Sequence, residues 1–210
     1  LVAVKVMAPH LASVAAARKR FAREARAAAA IMHPNVLPIL HVDSSGQLPF
    51  LVMPYVDCES LQDRLDRDGA LPILDVLRIA VQVARGLAAA HAQGLVHRDV
   101  KPANILLERG VERVMLTDFG LARAVDDATL TRSGLIAGTP HYMSPEQARG
   151  EGVDTRSDLF SLGSVLYAMT TGRPPFRAET TYGILRRVTD DAPRAIREHH
   201  PETPDWFEGI

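Results

Sequence analysis

The segment HRDVKPANILL, residues 97–107, constrains the fold more than any other part of the sequence, because a polar cluster runs directly into an apolar triplet. The charged and polar members of the cluster are His97, Arg98, Asp99, Lys101 and Asn104. Residues 105–107 are Ile-Leu-Leu and predict a short buried strand. Packing of such a strand would hold the preceding loop rigid before a ligand arrives, so the segment indicates a loop that presents reactive groups.

Composition places the chain among ordinary globular domains. It has 210 residues, of which 47% are hydrophobic and 23% charged, enough for one substantial core or two small lobes. The net charge is −1, with no block of like charges, so nothing indicates an electrostatic nucleic-acid surface. The single cysteine, Cys58, cannot form an internal disulfide and favours a reducing, cytoplasmic location. No apolar stretch in this sequence reaches the length of a membrane span, although a longer protein could tether the domain to a membrane.

Local patterns predict a small β-rich lobe followed by a larger helical lobe. The predicted elements of the first lobe are strands at 1–6, 36–42 and 48–53 and a helix at 15–32. The predicted elements of the second lobe are helices at 72–93 and 157–169 and strands at 105–107 and 114–116. Residues 118–146 show no regular pattern, and a stretch of that length indicates a functional loop. We expect Trp206 to anchor a helix in the core.

The polar residues of the loop suit the transfer of a phosphoryl group. Its transition state is highly anionic and requires cations and metal ions held in place. Asp99 could accept a proton from an attacking hydroxyl, and Lys101 could neutralise charge on the moving phosphate. Asn104 and Asp118 offer the hard oxygen ligands that Mg²⁺ prefers.

Several motifs occur in a characteristic order along the chain. They are VAVK at 2–5, HRDVKPAN at 97–104, DFG at 118–120, GTPHYMSPE at 138–146 and SDLFSLG at 157–163. In this order they resemble the eukaryotic-like serine/threonine protein kinases, of the bacterial branch, over essentially the whole chain. The resemblance implies an α+β, two-lobed protein-kinase-like fold, with a small β-rich N-lobe and a larger, mainly helical C-lobe.

The resemblance also has gaps at both ends of the sequence. No G-x-G-x-x-G loop is present, and the final helices of the family do not follow the segment PDWFEGI. We therefore expect residues 1–210 to be a fragment of a kinase domain, with 1–55 a partial N-lobe and 56–210 a truncated C-lobe. Strand 1–6 would then present an unpaired edge, and the isolated fragment would be poorly stable and weakly active.

The matching residues imply a catalytic site for ATP and Mg²⁺. The predicted catalytic residues are Lys5, Glu24, Asp99, Lys101, Asn104 and Asp118. By the resemblance, Lys5 would hold the α- and β-phosphates and would pair with Glu24 of the following helix. Asp99 would be the catalytic base, while Asn104 and Asp118 would bind the metal.

The resemblance implies an adenine site between the lobes as well. Met53 stands at the gatekeeper position and residues 54–56 at the hinge, whose backbone would bind adenine. Pro54 has no N–H to donate, but its carbonyl and the N–H of Val56 would serve. Ala3 and Leu106 would sandwich the ring.

Several further residues are predicted to regulate or support the site. Arg98 would pair with a phosphate on the long loop and order it, with Thr129, Thr131 or Ser133 as the candidate autophosphorylation sites. Thr139 matches the loop residue that supports the catalytic base.

Three residues are read as structural. His97 is expected to be a packed histidine and not a base. Asp158 is expected to brace the catalytic loop and to favour the helix dipole, and Glu146 is expected to be structural.

Three functions remain open from the sequence. The first is an active protein serine/threonine kinase, whose partners would be ATP and proteins bearing serine or threonine. The second is a pseudokinase or truncated binding module without activity, and the third is a small-molecule phosphotransferase. The long segment ending in GTPHYMSPE favours a protein substrate. No nucleic-acid partner and no membrane segment are expected in this fragment.

Overall fold

Two small β-sheets and a larger set of helices make up residues 1–119 and 140–209, the part of the chain that the computed structural model describes. The strands are β1 (Val2–Val6), β2 (His41–Asp43), β3 (Phe50–Pro54), β4 (Glu59–Ser60), β5 (Ile105–Glu108) and β6 (Arg113–Leu116). The helices are α1 (Pro9–Ala12), α2 (Ala15–Ala29), α3 (Leu61–Asp68), α4 (Ile73–His91), α5 (Pro145–Ala148), α6 (Thr155–Thr171), α7 (Thr181–Asp190), α8 (Ile196–His199) and α9 (Asp205–Glu208). Short 3₁₀ turns occupy Pro102–Asn104 and Pro140–Tyr142. The β-rich beginning and the helical remainder agree with the predicted α+β order.

The first sheet has the strand order β1-β3-β2 and is antiparallel. Its register places Ala3 opposite Met53 and Lys5 opposite Leu51. Within the described residues β1 pairs with β3 alone, so its other edge is unpaired, as predicted. The alternation along β1 leaves Val2, Val4 and Val6 exposed, while Ala3 and Lys5 are partly buried on the opposite face.

Helix α2 packs across this sheet with a small-residue face. The buried cluster contains Met7, Leu11, Ala12, Ala17, Phe21, Ala25 and Leu51. The helix ends at Ala29, three residues before the predicted end, and the chain turns through the segment His33-Pro34-Asn35. The acidic side chain of Glu24 lies on this helix and is buried.

The predicted strand at 36–42 is wrong in most of its length, because this segment leaves one sheet for the other. The N–H of Leu37 donates to the carbonyl of Leu116 at 2.8 Å, and the N–H of Leu116 donates to the carbonyl of Asn35 at 2.9 Å. Pro38 then interrupts the pairing, since it has no N–H to donate. Strand β2 of the first sheet begins only at His41.

The main core lies in the helical part and surrounds α4 and α6. The fully buried side chains there include Val76, Ile79, Val83 and Leu87 of α4, Ile105 and Leu107 of β5, and Val165 and Met169 of α6. Helix α6 is buried on most sides, as its apolar sequence predicts. Burial of Ile105 and Leu107 confirms the strand predicted after the polar loop.

Helix α3 was not predicted from the sequence, although a local signal was present. Ser60 accepts a hydrogen bond from the N–H of Asp63, and the Asp63 carboxylate accepts one from the N–H of Ser60. This capping box is a sequence signature of a helix start.

The expectation for Trp206 is wrong, because its side chain is 57% exposed whereas Phe207 is 3% exposed and belongs to the main core. Adjacent positions on a helix point about 100° apart, so only one of the two aromatic residues can face the core.

None of the helices in the described part of the chain combines the length and apolar character needed to cross a membrane.

Candidate active site

Within the polar loop, the side chains of Lys101 and Asn104 hold Asp99 in place. Lys101 Nζ lies 2.8 Å from Asp99 Oδ2. The Asn104 side-chain amide donates to the Asp99 carbonyl at 2.8 Å and to Asp99 Oδ2 at 2.9 Å. The 3₁₀ turn Pro102–Asn104 leads directly into buried strand β5, which anchors the loop in the core. The structure therefore brings the predicted base, its lysine and the predicted metal ligand into one cluster.

Asp158 braces the backbone of the same loop from the first turn of α6. Its carboxylate is fully buried and accepts hydrogen bonds from the N–H of His97 at 2.8 Å and of Arg98 at 2.7 Å. His91 Nε2 of α4 lies 2.7 Å from the same carboxylate. These contacts confirm the bracing role expected for Asp158, and they add His91, which sequence reasoning did not single out.

His97 is packed in the core, as predicted. Its ring lies 4.4 Å from the Phe119 ring, and its Nε2 donates to the Thr117 carbonyl at 3.0 Å. Its Nδ1 accepts from the N–H of Asp99 at 3.3 Å, which requires the neutral imidazole. Burial lowers the pKa of His97, in keeping with this neutral form. The ring thus supports the loop and has no lone pair left for a substrate.

Asp118 joins this cluster from the end of β6. The N–H of the preceding Thr117 donates to the Asn104 carbonyl at 3.0 Å, which connects the two predicted metal-binding segments. Lys5 lies on β1, and its Nζ is 2.6 Å from Asp118 Oδ1. The contact joins the first sheet to the segment after β6, which the Thr117–Asn104 hydrogen bond connects to the catalytic loop.

The predicted pair of Lys5 and Glu24 is not formed in this structure, where Lys5 is paired with Asp118. Glu24 is 5% exposed and lies 3.7 Å from Arg23 Nη2. The Lys5–Glu24 pair stays a prediction.

The predicted adenine-binding residues lie on the strands that flank the site. Ala3 and Met53 are cross-strand partners and are partly buried. Leu106 is the outward residue of β5, between the buried Ile105 and Leu107. Pro54 is the last residue of β3, Val56 lies two residues further along the chain, and both are also partly buried. Their contacts with adenine stay predictions.

The four predicted loop residues Thr129, Thr131, Ser133 and Thr139 lie outside the described residues. Glu146, which is described, accepts a hydrogen bond from the Ser157 hydroxyl, so it connects α5 to α6 as a structural residue would.

Gln147 is a site residue that sequence reasoning missed. Its side-chain amide donates to the Arg98 carbonyl at 2.7 Å. The sequence signal was the capping box Ser144-Pro-Glu-Gln147, which predicts the start of a helix. It does not predict that Gln147 also contacts the Arg98 carbonyl.

The donor set fits a magnesium ion shared with phosphate. The Asn104 Nδ2 atom is committed to Asp99, which leaves Oδ1 as the ligand atom, and the Asp118 carboxylate follows at the end of β6. No cluster of three or more His, Cys, Asp or Glu side chains within 1–119 and 140–209 could hold a metal by itself. Mg²⁺ is commonly bound by one or two protein oxygens together with substrate phosphates, which matches this arrangement.

Comparisons with known proteins agree with the motifs. The family model described as protein kinase domain matches residues 1–208. The chain is 40% identical over 204 residues to the serine/threonine-protein kinase PknB of Mycobacterium leprae, covering 95% of this chain and 33% of that protein. It is 46% identical over 221 aligned residues to the probable serine/threonine-protein kinase PknB of Bifidobacterium longum, covering 100% of this chain and 32% of that protein.

The fold agrees with solved structures too. The crystal structure of the Mycobacterium tuberculosis PknI kinase domain superposes with a TM-score of 0.74 at 30% identity, covering 96% of this chain and 72% of that one. This confirms the predicted protein-kinase fold. The chain spans about a third of the length of the curated relatives that it matches. It belongs to the protein kinase domain family, among the bacterial PknB-like serine/threonine protein kinases.

Proposed function

We propose that this domain transfers the γ-phosphoryl group of ATP to serine or threonine hydroxyls of protein substrates, with Asp99 as the base. The observation that carries the proposal is the convergence of Asp99, Asn104 and Asp118 around one site, with Lys5 paired to Asp118 at 2.6 Å. Lys101, 2.8 Å from Asp99, adds a second cation. Carboxylates, an amide and two lysines together suit the anionic transition state of phosphoryl transfer.

Each residue of the loop would have its own role in the reaction. The hydroxyl oxygen of the acceptor would attack the γ-phosphorus, its proton would pass to Asp99, and the bond from phosphorus to the ADP oxygen would break. Lys101 would stabilise the negative charge on the transferred group. The buried β5 strand and the Asn104 amide hold the Asp99 carboxylate in position before the substrate arrives.

Magnesium is part of the proposal. When bound, Mg²⁺ would neutralise developing charge on the phosphate oxygens. Asn104 would offer Oδ1 and Asp118 its carboxylate, while Lys5 would provide a cation on the side of the first sheet.

The nucleotide base would lie between the lobes, with residues 1–55 as the N-lobe part and 56–210 as the C-lobe part. Ala3 and Leu106 would contact the two faces of the adenine, and the backbone of Pro54 and Val56 would bind its edge. Glu24 would pair with Lys5 when the nucleotide is bound. We also propose that the domain works in the reducing cytoplasm, where Cys58 stays a free thiol.

Regulation would pass through the loop that contains Thr129, Thr131 and Ser133, with Arg98 as the partner of the phosphate. Replacing all three loop residues by alanine in the full-length protein should sharply lower activity. Unchanged turnover of a peptide substrate in that triple variant would remove this part of the proposal.

The function is tested by Asp99→Asn in the full-length protein, assayed with Mg-ATP and serine/threonine peptides. Loss of a general base typically costs about 10²–10⁴-fold in rate, so kcat should fall by that factor while ATP still raises Tm. Asp66→Asn, at an exposed carboxylate on α3, is the control and should keep full activity.

Two outcomes would contradict the proposal. A wild-type protein that binds Mg-ATP but transfers no phosphate to any peptide would be a binding module. A protein that phosphorylates small metabolites and not peptides would be a small-molecule phosphotransferase.

A further inference from the structure

We propose that Gln147 is a positioning residue for the catalytic base, because it holds the peptide bond that precedes Asp99. The inference rests on the proposed kinase function and concerns a residue outside the catalytic motifs. Gln147 lies on α5, which directly follows the segment Pro140–Met143, whereas Arg98 and Asp99 belong to the catalytic loop.

Both ends of the Gln147 amide are engaged. Its Oε1 accepts from the N–H of Ser144 at 3.0 Å, and its Nε2 donates to the Arg98 carbonyl at 2.7 Å. The Ser144 hydroxyl in turn accepts from the N–H of Gln147, so the helix start and the side chain are mutually fixed. The amide cannot rotate away from the catalytic loop without losing its capping bond.

The carbonyl that Gln147 holds belongs to the peptide unit between Arg98 and Asp99. The N–H of that unit donates to His97 Nδ1 at 3.3 Å, so the unit is held at both its polar ends. The N–H of Arg98, in the preceding unit, donates to Asp158 at 2.7 Å. Three side chains, His97 of the loop itself, Gln147 of α5 and Asp158 of α6, thus hold the backbone that leads into Asp99.

This backbone needs such support, because Arg98 has a φ of 67°. That left-handed conformation is unfavourable for a residue with a side chain and persists only where the surroundings impose it. The Arg98 carbonyl would lose its side-chain donor if Gln147 could no longer donate. Relaxation of Arg98 would then rotate the peptide unit and shift Asp99 away from Lys101 and the acceptor hydroxyl. A displacement of about 1 Å in a catalytic group can cost about 10²-fold in rate.

The test is Gln147→Glu in the full-length protein. A glutamate at this position still accepts from the N–H of Ser144 and keeps the capping box, but it cannot donate to the Arg98 carbonyl. We expect kcat for peptide phosphorylation to fall by about tenfold or more, with KM for ATP changed by less than about twofold.

Two control variants separate positioning from simple stability. Ser144→Ala removes the cap hydroxyl but leaves the Gln147 donor to Arg98, so its Tm should fall more than that of Gln147→Glu while kcat stays near wild type. Gln93→Glu makes the same chemical change at an exposed site and should leave kcat unchanged.

The inference is overturned if Gln147→Glu keeps kcat within about twofold of wild type. It is also overturned if Ser144→Ala loses kcat to the same extent, because the effect would then belong to α5 as a whole. Wild-type turnover, compared with Asp99→Asn, reports separately on the kinase function itself. If the wild-type protein transfers no phosphate, the kinase function fails and this inference fails with it.

Discussion

At the scale of single residues, the site depends on buried side chains that hydrogen-bond to the backbone of the catalytic loop. Arg98 and Asp118 both have a φ of 67°, so the chain is held in an unfavourable conformation on each side of the site. The partners that hold the Arg98 side, Asp158 and His97, are both fully buried. Buried polar partners of this kind are costly to remove, because the backbone groups that they satisfy would be left without a hydrogen bond.

His97 should make folding stability depend on pH. Burial lowers its pKa below the ordinary 6.5, so in mild acid the unfolded chain binds a proton that the native chain excludes. Titration of His97 therefore costs no stability above about pH 6.5. As the pH falls below that value, the free energy of unfolding decreases by up to about 1.4 kcal/mol per pH unit. Urea unfolding between about pH 7.5 and pH 5.5 should show a smaller acid loss in His97→Gln than in wild type.

His10→Gln, at an exposed histidine of α1, is the control for this measurement and should follow the wild-type curve. Identical pH slopes for wild type and His97→Gln would show that His97 accepts a proton in the native state.

At the scale of elements, helix α4 approaches Asn35, in the segment between the two sheets, most closely at Gly86. A Cβ built on Gly86 would lie 2.7 Å from the Asn35 carbonyl oxygen and 3.1 Å from a Leu116 methyl. The Asn35 backbone cannot easily retreat, because its carbonyl accepts from Leu116 and its side chain donates to the Val114 carbonyl at 2.8 Å. The close approach sets the distance between α4 and β6. It thereby sets the packing of the core beneath the catalytic loop.

Gly86→Ala should destabilise the domain by about 1–3 kcal/mol, since overpacking against backbone has no cheap relaxation. Gly163→Ala is the matched variant: Gly163 lies within α6, and its added Cβ would meet nothing within 4 Å. That variant should instead stabilise the domain by about 0.5–1 kcal/mol through helix propensity. Chemical denaturation of both variants measures the difference in the free energy of unfolding. An equal effect in the two would mean that Asn35 and Leu116 move aside at little cost.

At the scale of the whole molecule, the first sheet exposes an apolar face and, within the described part of the chain, the free edge of β1. Val2, Val4 and Val6 of β1 are 55%, 55% and 52% exposed. Unpaired edges with exposed β-branched residues tend to pair with other chains. The isolated 210-residue chain should therefore be poorly stable, prone to association and weakly active. Robust ATP-dependent phosphorylation by that chain alone would contradict this expectation.

Val4→Lys should reduce self-association of the isolated chain, because a charged residue on an edge strand opposes pairing with a second edge. Sedimentation velocity should show oligomers for wild type at a concentration where Val4→Lys is monomeric, with little change in Tm. Val81→Lys, at an exposed valine of α4 away from any sheet, is the control and should associate like wild type. Equal association of all three chains would place the contact elsewhere.

The sequence by itself determined the family, the main helices and the loop that carries Asp99, because those signals are local. Apolar spacing predicted α4 and α6, and the polar cluster before an apolar triplet predicted a catalytic loop in front of buried β5. Strand β2 was misplaced where Leu37 pairs with Leu116, a partner 79 positions away along the chain.

Only the tertiary structure decided which distant groups meet at the site. Lys5 lies beside Asp118 and not Glu24, and Gln147 donates to the Arg98 carbonyl. A side chain such as Lys5 or Gln147 has several chemically acceptable partners. The packing of α2, α5 and the two sheets, which depends on the whole core, selects one of them.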